Sequence, residues 1–183
     1  DVNPPEELKR QVLFGMAWAH FQSEEFKESF SIFDNLAKTG ADTLAVSSYF
    51  WSGESKRYQN DLKAARTIIE DFIDKYPDHY LIPKARFALG SMDYGKGESV
   101  NAELNLKSIL KTNDESTKAK AYTLLGEISL NKKDFNNARI NFGYALANDK
   151  ISDDLKQRSL LGIGITDFYL NRYDESIRSL TSL

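Results

Sequence analysis

Apolar and polar positions along the chain recur with a fixed phase. An aromatic or apolar residue is followed three positions later by a small residue and four positions after that by a second apolar residue. This pattern occurs five times, with Ser99 as the one polar first residue, at Phe26, Ser29 and Phe33; Leu62, Ala65 and Ile69; Ser99, Ala102 and Leu106; Phe135, Ala138 and Phe142; and Tyr173, Ser176 and Leu180. The middle residues are 36, 37, 36 and 38 positions apart. A regular period of this length predicts a stacked repeat array.

A second small residue stands nine positions before the first member of each triplet. These residues are Ala17, Gly53, Gly90, Gly126 and Gly164. Glycine inside a helix costs about 1 kcal/mol relative to alanine, so four glycines in register indicate the close approach of a neighbouring helix. Because the apolar residues around them follow helical spacing, each repeat is predicted to be a pair of antiparallel helices.

Short polar segments separate the two helices of each pair, and longer ones separate the pairs. "QSEEF", "YQNDL", "GKGES", "NKKDF" and "NRYDE" supply the turn residues within the pairs. We predict helices near 6–22, 25–38, 42–58, 61–75, 81–95, 98–112, 115–131, 134–148, 152–170 and 173–183. The repeats are placed near 10–45, 46–82, 83–118, 119–156 and 157–183, as a single array cut from a longer chain.

Two phrases of the chain resemble the tetratricopeptide repeat family. "LLGEIS…DFNNARINF" and "FALGSM…NAELNL" carry the Leu-Gly and Ala-x-x-x-Phe/Leu elements, and Pro77 occupies the late proline position. The resemblance extends from about Arg10 to Leu183. It implies an all-α fold, a right-handed superhelical solenoid of about five helix-turn-helix repeats.

One longer phrase, "FIDKYPDHYLIPKARFALG", resembles a subtype found in bacterial envelope proteins. Outer-membrane assembly lipoproteins and periplasmic cell-division coordinators are similar in this phrase. The resemblance implies a periplasmic or envelope-associated protein, with the cytoplasm as the alternative.

Composition narrows the class of protein. Hydrophobic residues make up 41% and charged residues 28% of the 183 positions, which is typical of a globular protein. The net charge of -3 is spread without a basic block, which disfavours nucleic-acid binding. No apolar run is long enough to predict a membrane span. The absence of cysteine excludes disulfides and thiolate chemistry.

Residues with catalytic or metal-binding chemistry are few. His20 and His79 fall in different repeats and have no ligand spacing, with His20 expected in the groove or core and His79 in an exposed linker. The acidic pairs at 24–25 and 153–154 begin predicted helices, where they are expected to cap amides. The sequence therefore predicts no enzyme, no metal and no cofactor.

In the resembled family, the first helix of each pair lines a concave groove. Carried over by phase, the groove trios are Phe14, Trp18 and Phe21; Phe50, Glu54 and Arg57; Phe87, Ser91 and Tyr94; Thr123, Glu127 and Leu130; and Leu161, Ile165 and Tyr169. Some family members hold a peptide carboxylate with Lys and Asn at the first two positions of a trio, which this chain lacks. An aromatic groove instead suits an apolar or aromatic-bearing segment.

We predict partner binding at eight of these positions: Phe14, Trp18, Phe21, Phe50, Phe87, Tyr94, Leu130 and Tyr169. The alternative is that the stripe is core, covered at Phe14, Trp18 and Phe21 by "VNPPEEL" or by an upstream repeat. Trp51 is expected to pack between repeats.

The last helix presents Ile177, Leu180 and Leu183 on one face without a polar helix to cover them. This predicts that the chain continues or that it self-associates through this end. The function inferred is a non-catalytic scaffold that binds a peptide or helix of a protein partner within an envelope assembly. The alternatives are a peptide- or ligand-sensing regulatory domain and a purely structural module.

Overall fold

The computed structural model describes residues 5–149 and 151–183. The described residues form ten α-helices: α1 Glu6–Gln22, α2 Phe26–Ala37, α3 Thr43–Tyr58, α4 Leu62–Lys75, α5 Ile82–Gly95, α6 Ser99–Ile109, α7 Glu115–Asn131, α8 Phe135–Leu146, α9 Asp153–Tyr169 and α10 Tyr173–Leu180. Every predicted helix is present, and its ends agree within three residues. The all-α helix-pair prediction is thus confirmed.

The chain divides into two compact units, one ending at Ala88 and the other beginning at Leu89. In the first unit α2 packs against both α1 and α3, and α3 packs against α4. In the second unit α8 packs against both α7 and α9, and α9 packs against α10. In each unit a second helix, α2 or α8, therefore lies between its own first helix and the first helix of the next pair.

The predicted packing glycines lie where two helices approach closely. A Cβ atom on Gly126 of α7 would lie 2.6 Å from the Phe142 ring of α8, and one on Gly162 of α9 would lie 2.4 Å from the same ring. The Phe142 ring is fully packed between the two helices, with 1% of its surface exposed. At Gly53 and Gly164 the same space is filled by Ile69 and Leu180.

The turns within the pairs share one backbone conformation. A residue with positive φ follows the first helix at Glu24, Asn60, Gly97, Lys133 and Asn171, positions 36, 37, 36 and 38 residues apart. The next amide donates to a carbonyl five residues back, as Asp134 N–H does to Ser129 O at 2.9 Å. This is the Schellman motif, in which a left-handed residue satisfies the last carbonyls of a helix.

Replacement of Lys133 by glycine is expected to stabilise the protein. Its φ of 59° costs an L-residue on the order of 1 kcal/mol, part of which is offset by the larger entropy of glycine in the unfolded chain. Lys133→Gly should therefore raise the free energy of unfolding by about 0.5 kcal/mol in urea titrations. Gly97→Ala, at a φ of 79°, is the converse control and should lower it. A destabilised Lys133→Gly protein would contradict this account of the turn.

Caps were predicted less accurately than helices. Asp42 accepts from the Ala45 amide at 2.9 Å, and Ser152 accepts from the Leu155 amide at 3.5 Å. Neither Glu24 nor Glu25 caps α2 with its side chain, since Glu24 is the left-handed turn residue and Glu25 contacts His20. The capping interpretation of that pair is wrong. Residues 153–154 lie one step inside α9, where their charge favours the helix dipole.

One ion pair joins the first helices of two successive pairs. Arg10 of α1 donates to both carboxylate oxygens of Asp42 at 2.6 and 2.8 Å. Hydrogen bonds from the Arg10 side chain and from the Ala45 amide lower the pKa of Asp42 to about 2. The Asp42 carboxylate therefore serves both as the N-cap of α3 and as the partner of α1.

Candidate functional site

The first unit contains a continuous aromatic cluster, which joins α1, α2 and α3. We define the aromatic cluster by its members: Phe14, Trp18, Phe21, Phe26, Phe33, Phe50, Trp51 and Tyr58. The Trp18 and Trp51 ring centroids lie 4.3 Å apart, and the Phe21 centroid lies 5.7 Å from Trp51. Phe14 contacts Phe33 edge-on at 5.4 Å. The predicted packing of Trp51 between successive repeats is confirmed by these contacts.

Three rings of the aromatic cluster form a partly exposed rim on α1 and α3. Trp18 and Phe21 are half-buried, and Tyr58 is 50% exposed. Phe21 and Tyr58 contact edge-on at 5.2 Å, so the rim is continuous between the two helices. Neighbouring rings hold each member in place, which gives a preformed aromatic surface.

Phe50 does not belong to this rim. Its side chain has no exposed surface, and its ring packs against Trp51 at 4.9 Å and Phe72 of α4 at 5.5 Å. Phe14 holds the equivalent position on α1 and remains half-buried. The difference arises because α3 packs against both α2 and α4, which closes the position in an interior helix. The assignment of Phe50 to a binding surface is therefore corrected to the core.

Two charged side chains beside the rim neutralise each other. Arg57 donates to both carboxylate oxygens of Glu54 at 2.7 and 2.9 Å, and its guanidinium lies 4.4 Å from the Tyr58 ring centroid. Burial lowers the pKa of Arg57, but the hydrogen bonds to Glu54 outweigh it and raise the pKa overall. Lys84 adds an ammonium group 5.8 Å from the Trp51 centroid.

The other four predicted residues lie on α5, α7 and α9. Phe87 is half-buried on α5 in the first unit. In the second unit, the Tyr94 hydroxyl accepts from Asn131 Nδ2 at 2.9 Å, and Leu130 is half-buried on α7. Tyr169 stacks on Phe135 with centroids 4.6 Å apart and planes within 8°. Binding at these four residues stays a prediction.

The trio predicted for the last repeat is one residue out of register. Phe168 follows Gly164 by four positions, as Leu130 follows Gly126, so Phe168 and not Tyr169 holds the third position. Tyr169 instead occupies the position of Tyr58, five residues after the packing glycine, and Tyr58 stacks on Phe26 at 5.1 Å. Two repeats have an aromatic residue at this position, and in both the preceding helix begins with an aromatic residue. This combination is the sequence signal that would have identified both stacks.

Both histidines make structural contacts. His20 Nδ1 lies 2.5 Å from a carboxylate oxygen of Glu25. His79 is half-buried, with its ring edge-on to Phe72 at 5.5 Å and its Nδ1 accepting from the Leu81 amide at 3.3 Å. Burial lowers the pKa of His79. His79 lies in the predicted linker between α4 and α5, but the expectation that it is exposed there is wrong.

The second unit has a polar cleft of about 400 Å³ lined by residues of α6, α7 and α8. Glu103 forms ion pairs there with both Lys107 and Lys132, which balances one of the two lysine charges. Within residues 5–149 and 151–183, no three His, Asp or Glu side chains converge as a metal-binding group. Across the same residues, none of the helices has the length and apolar character required to cross a membrane.

Comparison with known proteins identifies the class of fold. Residues 47–79, which include most of α3 and all of α4, match the tetratricopeptide repeat family model. No curated protein matches the chain. The chain thus contains a tetratricopeptide repeat, and the predicted family resemblance is confirmed.

Several solved structures share the fold over most of the chain. BtubC from P. vanneervenii superposes with a TM-score of 0.75 at 15% identity, over 94% of this chain and 77% of that one. MamA from Desulfovibrio magneticus RS-1 gives 0.71 at 14% identity, over 95% and 92%. A tetratricopeptide repeat protein from Parabacteroides merdae gives 0.70 at 18% identity, over 94% and 64%. At these identities the likeness establishes the fold alone.

Proposed function

We propose that this protein is a non-catalytic interaction scaffold that binds an apolar or aromatic-bearing peptide segment on the rim formed by Trp18, Phe21 and Tyr58. The observation that carries the proposal is the partial exposure of three rings that belong to one packed aromatic cluster. Aromatic anchors supply large contact areas for little loss of side-chain entropy, and they dominate the energetics of many interfaces.

The charges around the rim favour the same class of ligand. Arg57 is already paired with Glu54, so it is not available to clamp a peptide carboxylate without breaking two hydrogen bonds. Lys84 near Trp51 leaves one positive charge at the edge of the cluster. The segment we propose is thus an apolar one, tolerant of an acidic residue beside it.

The two tryptophans provide a direct experiment. The chain has only Trp18 and Trp51, and both lie in the aromatic cluster. Peptides selected from a displayed random library on the full chain would be titrated while tryptophan emission is recorded. We expect a saturable change in emission. Tyr58→Ala should raise the Kd at least about tenfold, which corresponds to roughly 1.4 kcal/mol of lost ring contact.

Tyr144→Ala is the matched control, since Tyr144 is 56% exposed on α8 of the second unit. Its Kd should stay within about twofold of the wild type, a change below 0.5 kcal/mol. Circular dichroism establishes that both variants are folded. Selected peptides that bind without altering tryptophan emission, or that lose affinity equally with both variants, would refute a site on the rim.

We also propose that the protein works in the bacterial cell envelope. The support is the resemblance of residues 72–90 to envelope members of the repeat family. Fractionation of the source cells, with detection by a specific antibody, should recover the protein with the periplasmic or membrane fraction. Recovery with the cytoplasmic fraction alone would refute this part of the proposal and leave the rim unaffected.

A further inference from the structure

The outer face of α1 is apolar and exposed. Leu8, Val12, Gly15 and Ala19 follow each other at spacings of four, three and four, which places them on one side of the helix. Leu8 is 48% and Val12 53% exposed, and a Cβ atom on Gly15 would meet nothing within 4 Å. A stripe of this kind on a helix is normally buried against another element.

The equivalent face of α9 is buried against the preceding helix pair. Counting from Gly164 as from Ala17, the equivalents of the four α1 residues are Leu155, Ser159, Gly162 and Thr166, and all are buried. Gly162 accommodates the Phe142 ring of α8, and the hydroxyl of Ser159 lies 3.0 Å from that of Thr123 of α7. The same positions on α7 are also buried: Thr117, Ala121, Leu124 and Ile128. In a contact between two successive helix pairs, which we call a repeat junction, this face of the first helix is the receiving half, because the preceding pair packs on it. The α1 stripe is therefore the receiving half of a repeat junction.

The donating half of such a junction is the face of a second helix that packs on the first helix of the next pair. On α10 this face is exposed. Tyr173, Ile177 and Leu180 are 53%, 61% and 40% exposed. Their equivalents on α8 are Phe135, Arg139 and Phe142, and these meet α9: Phe135 stacks on Tyr169, Arg139 pairs with Asp167 at 2.6 Å, and Phe142 fills the space at Gly162.

The corresponding residues of α2 meet α3 in the same way. Phe26 stacks on Tyr58, and the Phe30 ring receives Lys56 Nζ at 4.3 Å from its centroid. Two junctions, one in each unit, thus use the same positions for their contacts. The residues at the same positions of α10 are exposed.

We propose that α10 of one copy packs on α1 of a second copy as an additional repeat junction. By equivalence, Leu180 would enter the space beside Gly15, Ile177 would meet His20, and Tyr173 would lie against Gln22. The second copy is the favoured occupant because one chain carries both halves in matching register. The contact is heterologous, so it joins unlike faces in a head-to-tail manner. The proposed contact uses none of the three rim residues, so it does not rest on the proposed peptide binding.

Sedimentation velocity of the full 183-residue chain tests the proposal. Over about a hundredfold range of protein concentration, the wild type should shift from one copy to two and more by mass action. Val12→Lys blocks the receiving face and Ile177→Lys the donating face, and each should raise the Kd of self-association at least about tenfold. Val100→Lys on α6, where Val100 is 77% exposed, is the matched control and should behave as wild type.

Mixing the two blocked variants distinguishes head-to-tail contact from every symmetric one. Val12→Lys keeps an intact α10 and Ile177→Lys an intact α1, so the mixture should form a one-to-one dimer that does not extend. A wild type that stays monomeric throughout would overturn the proposal and leave the ends to flanking repeats of a longer chain. Dimers of either blocked variant alone, or a mixture that stays monomeric, would also overturn it.

Discussion

Replacement of Phe50 by alanine is expected to lower the free energy of unfolding by about 3–5 kcal/mol. The Phe50 side chain is fully enclosed and contacts both Trp51 and Phe72. Its removal forfeits the burial of a large ring and leaves a cavity between α3 and α4, which a packed interior closes only in part. Urea unfolding followed by circular dichroism measures the loss.

Phe168→Ala is the matched control for Phe50→Ala, because the same side chain is 57% exposed on α9. We expect it to cost less than about 1 kcal/mol, since most of the ring already contacts solvent. If Phe50→Ala lowers the free energy of unfolding by less than about 1 kcal/mol and also abolishes peptide binding, Phe50 belongs to the binding surface and not to the core.

Gly126→Ala is expected to lower the free energy of unfolding by about 2–4 kcal/mol, despite the higher helix propensity of alanine. The added methyl carbon would lie 2.6 Å from the Phe142 ring. The ring has no room to retreat, because α9 approaches its other face at Gly162. Either the ring leaves its preferred rotamer or the helices separate, and both are costly.

Gly143→Ala is the control for the glycine substitution, since a Cβ atom there would meet nothing within 4 Å. It should stabilise the protein by about 0.5–1 kcal/mol through helix propensity alone. Phe142→Leu in the Gly126→Ala background should recover part of the loss, because the smaller side chain frees space at the contact. Equal effects of the two alanines would show that Gly126 has no packing role.

Together these residues separate two roles of the aromatic side chains. Phe50 and Phe142 are enclosed and hold helices together, whereas Trp18, Phe21 and Tyr58 are packed on one side and exposed on the other. A scaffold that binds through the second group keeps its binding surface rigid through the first. Substitutions at the rim should therefore change affinity more than stability, and substitutions in the core the reverse.

The sequence by itself determined the helices, their pairing and the packing glycines. These follow from spacing along one chain: a helix brings positions three and four apart onto one face, and a glycine in register with an apolar residue of the next helix implies close approach. Gly126 with Phe142, and Gly164 with Leu180, were predictable for this reason.

Only the tertiary structure decided which residues of a shared face stay exposed. Phe14 and Phe50 have the same phase in their helices, yet the first is half-buried and the second enclosed, because α3 has helix neighbours on both sides. The Phe26–Tyr58 and Phe135–Tyr169 stacks join residues of different helix pairs, so the spacing within one helix does not predict them. Burial is a property of neighbours brought together by folding, whereas periodicity is a property of the single helix.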